Sequence, residues 1–317
     1  MVDVVTVTLN PAVDRSAVVE RVFAEHKLRC SDPALEPGGG GINVARALVR
    51  LGTTSLALWT SGGGTGLLLG RLLDSEGLPH EPIEIVEETR ENFSVYESSS
   101  SLQFRFNLPG PIFTEDCQDR VVERLSNLKP LPKFVVLSGS LPRGVPQDFY
   151  GKLAASVSAP ARVVVDTSGP ALTGTLGSPV FAFKPNLREL GQWVGRELED
   201  DAAIVDAARS VLDRSPTELL LVSLGAGGAV VVGRQSHLQV RAPTVPIRSK
   251  VGAGDSMVAG FVHGLCQGFS PEDAARFGVA AGAAAVMTDG SQLCHPDDTQ
   301  RLFQQILNEA GAPHETA

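Results

Sequence analysis

Residues 134–166 read FVVLSGSLPRGVPQDFYGKLAASVSAPARVVVD. Two short apolar runs, Phe134–Leu137 and Val163–Asp166, flank a segment near Gln147–Ala155 whose apolar residues recur at helical spacing. A strand with no polar alternation is buried on both faces, and two such strands joined through a helix run parallel. The stretch is therefore a β-α-β unit, and it sets the class of the whole chain. Downstream, Phe181–Lys184 and Leu219–Leu224 repeat the short apolar strand, with helices at Leu187–Val194 and Ala202–Arg214. Upstream, Val4–Leu9 alternates Val and Thr as a first strand. A helix Ile42–Leu51 stops at Gly52, Ser55–Thr60 is strand-like, and Gly66–Glu76 is a Leu-rich helix closed by Gly77. The expectation is an α/β fold with a doubly wound, mainly parallel sheet flanked by helices.

Two regions break the alternation. Residues 12–34 lack helical periodicity. Residues 91–108 read as two antiparallel strands, Asn92–Glu97 and Leu102–Leu108, around a Ser-rich turn. Together they are expected to form a small β-sheet protruding as a lid or a dimer surface, on one domain spanning residues 1–317. Ser270-Pro271-Glu272-Asp273 signals a late helix start, with a Ser cap and Pro at the first helical position.

The 317 residues are 43% apolar and 20% charged, ordinary for a soluble globular protein, and the net charge is −9. An acidic chain without a Lys/Arg block is a poor nucleic-acid or anionic-membrane binder. With no apolar span of about 18 residues and a β-like N-terminus in place of a signal peptide, a cytoplasmic location is expected. Cys30, Cys117, Cys266 and Cys294 are scattered without a C-x-x-C pair, and are read as reduced thiols in or near the core.

Gly252-Ala253-Gly254-Asp255-Ser256 stands where an extended segment becomes a long apolar helix. The amides of Gly252, Ala253 and Gly254 can converge on an anion at the helix start. Asp255 beside such an anion reads as a general base acting on a hydroxyl that attacks phosphorus. A tight turn with an acidic cap is the other reading, and the motif alone leaves both open. Gly38-Gly39-Gly40-Gly41 before a helix suggests close approach of backbone to a ligand, with Asn43 offering a donor and an acceptor to hydroxyls. Neither glycine run fits a P-loop or a dinucleotide fingerprint, since Met257 holds the place of the third dinucleotide glycine.

Asp14 lies just beyond the first strand, placed to hold substrate hydroxyls or to cap a turn. Lys27, Arg29, Arg90 and Arg105 lie in or beside the lid regions and together could clamp a sugar phosphate. Asn186 and Glu189 share a face on a helical first turn. That spacing suits hydrated Mg²⁺ beside nucleotide phosphates, and equally a capping box. Ser223-Leu224-Gly225-Ala226-Gly227-Gly228 is either a loop under phosphates or a hairpin turn.

The order and spacing of these elements resemble the ribokinase-like carbohydrate kinases over essentially the whole chain. Within the family, the branch acting on fructose 6-phosphate is the most similar. The likeness is carried by Lys27-Leu28-Arg29-Cys30, Glu36–Arg46, Phe277-Gly278-Val279-Ala280-Ala281-Gly282, Leu293-Cys294 and Asp297-Asp298-Thr299. The neighbouring 1-phosphofructokinase and tagatose-6-phosphate kinase groups usually carry Lys where this chain has Gly40, whereas Asn10-Pro11-Ala12 looks more like those neighbours. Both remain alternatives; a catalytically silent sugar-phosphate and nucleotide sensor is the alternative of a different class.

The resemblance implies ATP-dependent phosphorylation of a sugar hydroxyl. Asp14, Gly39, Gly40, Asn43, Arg90, Arg105 and Ser140 would hold the sugar phosphate, with Lys27 and Arg29 serving a partner's site in a homodimer. Lys184, Asn186, Ser223, Gly225, Gly227 and Gly228 would serve ATP, and Asn186 and Glu189 would organise Mg²⁺ through water. Asp255 would be the base. Many members have Asp-Thr before the motif, where a monovalent cation such as K⁺ binds. Here the stretch is Arg248-Ser249-Lys250-Val251. Ser249 and Val251 offer oxygens, but the Lys250 charge weighs against the cation.

Overall fold

A computed structural model describes residues 2–290 and 292–311. The chain opens on β1 (Val4–Thr8), every residue of which is buried. Its threonines are therefore not a solvent face: β1 lies mid-sheet with both sides covered, and Thr alternation there marks a central strand. β2 (Ala12–Val19) and β3 (Ala34–Gly38) then leave the main body, separated by the exposed loop 20–33. β3 runs through Gly39 into α1 (Gly40–Arg50), whose buried stripe is Ile42, Val44, Ala45, Ala47 and Leu48.

β4 (Ser55–Ser61), α2 (Gly63–Ser75) and β5 (His80–Glu84) follow, then the hairpin β6 (Arg90–Glu97) and β7 (Leu102–Asn107). α3 (Glu115–Ser126), β8 (Phe134–Ser138), α4 (Phe149–Ser156) and β9 (Arg162–Asp166) restore the alternation. Helix α3 escaped the sequence reading. Its signal was present as Thr114, which accepts from the Cys117 N–H, with two acids in the first turn. Then come α5 (Pro170–Gly174), β10 (Ala182–Phe183), α6 (Leu187–Val194), α7 (Asp201–Leu212), β11 (Leu219–Ser223), β12 (Ala229–Gly233) and β13 (His237–Val240). Three helices, α8 (Ala253–Cys266), α9 (Pro271–Val286) and α10 (Pro296–Gly311), are the last elements among the described residues. The Ser270 cap forms as expected, accepting from the Asp273 N–H at 3.1 Å.

Among the described residues, nine strands form one sheet in the order β13-β12-β11-β10-β9-β8-β1-β4-β5. All pairs from β11 to β5 are parallel; β12 and β13 add an antiparallel edge. One apolar cluster, built on Val5, Val7, Leu137, Val165 and Leu220 with α3, α4 and α7, fills one face. A second, on Val4, Val136, Val164 and Leu221 with α1, α8 and α9, fills the other. The doubly wound expectation is met.

A separate four-stranded sheet has the order β3-β2-β6-β7. Its register aligns Asp14 with Asn92, and Ser94 with Arg105, so these side chains share one face. Phe93 pairs with Phe106 on the other face, where their rings stack. Among the described residues, no helix is long and apolar enough to cross a membrane. Cys117 and Cys294 are buried, but Cys30 is exposed, against the expectation of core thiols: it sits on the loop before β3.

Candidate active site

Polar groups collect where the parallel strands end. β9 ends on Asp166 and β10 leads into Lys184, and the two form a buried ion pair at 3.1 Å. Burial raises the Asp166 pKa, against the pull of Lys184. Burial alone would lower that of Lys184, but Asp166, Glu189 and Asp255 outweigh it and hold the ammonium charged. After β8, the Gly139 N–H donates to the Asp166 carbonyl, and the Gly139 carbonyl accepts from Tyr150 at 3.0 Å and Thr167 at 2.8 Å. These bonds fix the loop carrying Ser140, which is exposed and accepts from Asn10 at 3.0 Å.

The glycine run packs against these strand ends. A Cβ on Gly41 would stand 2.5 Å from Thr8 Oγ1 and 2.6 Å from the Val7 carbonyl, and one on Gly40 would overlap Ser138 Oγ. Gly39 has φ 121°, a conformation that L side chains rarely adopt. The glycines thus let α1 start directly on the sheet edge, which places Asn43 one turn in, buried and facing α8.

Helix α8 begins at Ala253 behind Gly252, which is left-handed at φ 73°. Its first-turn amides carry the helix's positive end. Lys184 Nζ lies 3.6 Å from where a Cβ on the exposed Gly254 would stand, so an anion at this helix end would also meet the ammonium. Asp255 sits in the same turn and accepts from Asn43 Nδ2 at 2.9 Å. Burial first, then the Asp166 charge, push its pKa up to about 6, while Asn43 and Lys184 pull the other way. A largely buried carboxylate with that pKa, in the first turn of a helix, is equipped to accept a proton near neutral pH.

The lid sheet supplies the opposite wall. A cleft is lined by Asp14, Glu36, Asn92 and Arg105 from the lid and by Val251 and Gly290 from the main domain. Asn92 Nδ2 donates to Asp14 Oδ1 at 2.7 Å. Burial raises the Asp14 pKa, opposed by Asn92, Arg90 and Arg105. Arg105 is exposed and open to a ligand. Arg90 departs from the simple clamp expected: two of its nitrogens brace the Asn10 and Leu108 carbonyls, at 3.1 and 3.4 Å, and its Nε is buried without a partner. Lys27 and Arg29 are exposed on the loop 20–33 and do not line this cleft.

On the Lys184 side, Asn186 caps α6. Its side chain accepts from the Glu189 N–H at 2.9 Å, and Glu189 Oε2 accepts from the Asn186 N–H at 2.8 Å. The capping-box reading is thus realised, and Asn186 Oδ1 is committed to the helix. Glu189 is close enough to Lys184 to help hold its charge, a placement that fits a hydrated Mg²⁺ held through water and not a direct ligand set. Among the described residues, no cluster of three His, Cys, Asp or Glu suited to a metal exists.

The Ser223 N–H donates to the Pro185 carbonyl, and Ser223 pairs with Asn186 across an isolated parallel bridge. The exposed turn Gly225–Gly227 therefore sits beside α6, as the start of the β11–β12 hairpin. Ser249 Oγ accepts from the Val251 N–H at 3.2 Å, and Lys250 is exposed.

Residues 2–298 match the model of the pfkB family carbohydrate kinases. The chain belongs to that family. It is 42% identical to the ATP-dependent 6-phosphofructokinase isozyme 2 of Mycobacterium tuberculosis, over 95% of this chain and 89% of that one. It is 36% identical to the 1-phosphofructokinase of Xanthomonas campestris, over 97% and 96%. Solved structures of Escherichia coli phosphofructokinase-2, in complex with potassium and with fructose-6-phosphate, superpose with TM-scores of 0.92 and 0.89. They share 38% and 37% identity and cover 97% of this chain and 100% of theirs. The protein is thus a sugar-phosphate kinase, and the family resemblance read from the motifs holds.

Sequence reasoning missed four residues of the kinase's cluster. Asp166 was visible only as the acid ending an apolar strand. Asn10 stood out only as part of Asn10-Pro11-Ala12, and Asn92 only as the first residue of a strand. Arg46, a charge within the apolar stripe of α1, is 4% exposed and joined to Asn43.

Proposed function

We propose that this kinase transfers the γ-phosphoryl group of ATP to the 1-hydroxyl of fructose 6-phosphate, giving fructose 1,6-bisphosphate and ADP. The observation that carries the reading is the position of Asp255. It lies at the start of α8, with the lid cleft on one side and Lys184 on the other, and Asn43 directs its Oδ2. The sugar hydroxyl is held by Asp14 and Asn43, and its 6-phosphate by Arg105 with Arg90 and Ser140. Asp255 accepts the hydroxyl proton as the oxygen bonds to the γ-phosphorus and the bond from phosphorus to the β–γ bridging oxygen breaks. The amides of Gly252, Ala253 and Gly254, with Lys184, meet the charge on the transferring group. Glu189 and Asn186 would hold Mg²⁺ through water, where it would supply neutralisation of phosphate charge. Ser223, Gly225, Gly227 and Gly228 line the nucleotide side.

Gly40 supports fructose 6-phosphate because the neighbouring groups usually carry Lys there, and in this chain Ser138 Oγ fills the space a side chain would need. A 1-phosphofructokinase shares all the chemistry and remains the second reading, favoured by Asn10-Pro11-Ala12. A silent sensor is disfavoured because the base is in place. ³¹P NMR of the product of Mg-ATP and fructose 6-phosphate tests the assignment: a new resonance from phosphate on carbon 1 supports it, and unchanged sugar phosphate refutes it.

The kinase is further inferred to be a cytoplasmic homodimer joined through the lid, with Lys27 and Arg29 reaching the partner's cleft. Phe93 and Phe106, 38% and 53% exposed, give the lid an apolar surface that a second copy would cover. For a monovalent cation, the exposed Lys250 removes less than its charge suggested, and Ser249 and Val251 remain the oxygens available.

A further inference from the structure

We propose that Arg46 is the positioning residue of the catalytic base: anchored by Glu76, its guanidinium fixes the Asn43 amide so that Nδ2 donates to Asp255. The inference rests on the reading of Asp255 as the base. Arg46 donates from Nε to Glu76 Oε2 at 2.7 Å and from Nη2 to Glu76 Oε1 at 2.6 Å, a two-point grip. Its Nη1 donates to Asn43 Oδ1 at 3.3 Å and to the Pro37 carbonyl at 3.4 Å. Asn43 in turn donates to Asp255 Oδ2. The chain therefore runs from the end of α2, through two residues one turn apart on α1, to the start of α8.

An amide has one accepting and one donating end. With a permanent cation against Oδ1, only one orientation of Asn43 satisfies both neighbours. The flipped amide would set its NH₂ against the guanidinium and its oxygen against the carboxylate. Arg46 thus makes Asn43 a dedicated donor to Asp255, which both aims the base and favours its ionised form.

Stability alone does not account for this arrangement. Arg46 is buried but Glu76 is exposed, and an ion pair open to solvent on one side adds little net stability; Asn43 aside, the rest of the α1 stripe is apolar. Lysine could not reproduce the contacts, because one point charge cannot grip Glu76 at two points and also reach Asn43. Asp166 and Lys184 face Asp255 from the sheet side and act on it independently of Arg46.

The test is a double-mutant cycle of Arg46→Met with Asn43→Ala, with Arg46→Lys alongside, each assayed for kcat and for the acid limb of kcat/KM. Misplacing a reacting group by about 1 Å can cost up to 10²-fold, so Arg46→Met and Arg46→Lys are each expected to lower kcat by about tenfold or more. Both should also move the acid limb upward, as the loss of the Asn43 donor requires. In the Asn43→Ala background, Arg46→Met should have little further effect. Full additivity, or wild-type kcat and acid limb with only a lower melting temperature, would overturn the proposal. If the Met variant fails to fold, Arg46→Lys carries the same test, since it retains the charge. A fully active Asp255→Asn enzyme would instead sink the underlying reading of the base, so the two failures are distinguishable.

Discussion

On the proposed mechanism, Asp255 concentrates the chemistry in one carboxylate whose environment sets its use. Asp255→Asn keeps the size and the neighbours but cannot accept the proton, so kcat should fall by about 10³-fold with sugar and nucleotide affinities largely kept; steady-state kinetics with isothermal titration check both. With its pKa near 6, activity should decline as pH falls through about 6, because protonation removes the base. The same shift acts on stability with a definite sign. Between its ordinary value of 3.8 and about 6, the folded state holds the proton that the unfolded chain has released. The group therefore makes the fold less stable as pH rises through that window. Asp255→Asn should accordingly melt above the wild type at pH 8 while being nearly inactive, and scanning calorimetry reads this directly.

The elements show how far sequence carried the reading. Leu187–Val194 was legible to the residue because Asn186 and Glu189 announce a capped helix start, and the strands from Phe134 to Leu224 were legible as unbroken apolar runs. What stayed hidden were contacts between distant segments. Asp166 meets Lys184, and Arg46 meets Glu76, only after the sheet has assembled. Arg90 read as a free cation but braces two carbonyls, since nothing local shows which backbone lies against a side chain. Asn186→Ala removes one half of the capping box and should cost about 1 kcal/mol in chemical denaturation. It should also raise the KM for Mg-ATP, because Glu189 loses the backbone geometry that holds it.

At the scale of the whole molecule, the lid is an exposed four-stranded sheet, polar where it faces the cleft and aromatic at Phe93 and Phe106. Open edges and apolar surface of this kind favour association, and multi-angle light scattering should give the mass of two chains. A Tyr96→Glu, Phe106→Glu variant, altering both faces of the lid, should return a single-chain mass; a wild-type monomer at working concentration would contradict lid-mediated pairing. The architecture and the β6–β7 half of the lid could be foreseen because both follow from periodicity, whereas β2 was marked only by the absence of helical spacing over residues 12–34, and β3 lies almost wholly beyond them. The choice among ketohexose phosphates could not, since it turns on one glycine beside Ser138 and on how far Arg105 reaches.

That choice is also where the functional claim is most exposed. Coupled ADP release with Mg-ATP should be compared for fructose 6-phosphate, fructose 1-phosphate and tagatose 6-phosphate, with a no-sugar control. We expect kcat/KM to be highest for fructose 6-phosphate by at least about tenfold, roughly the effect of a single well-made polar contact. Preference for either other sugar would contradict the substrate assignment while leaving Asp255 as the base, and the absence of any sugar-dependent ADP release would contradict the kinase mechanism itself.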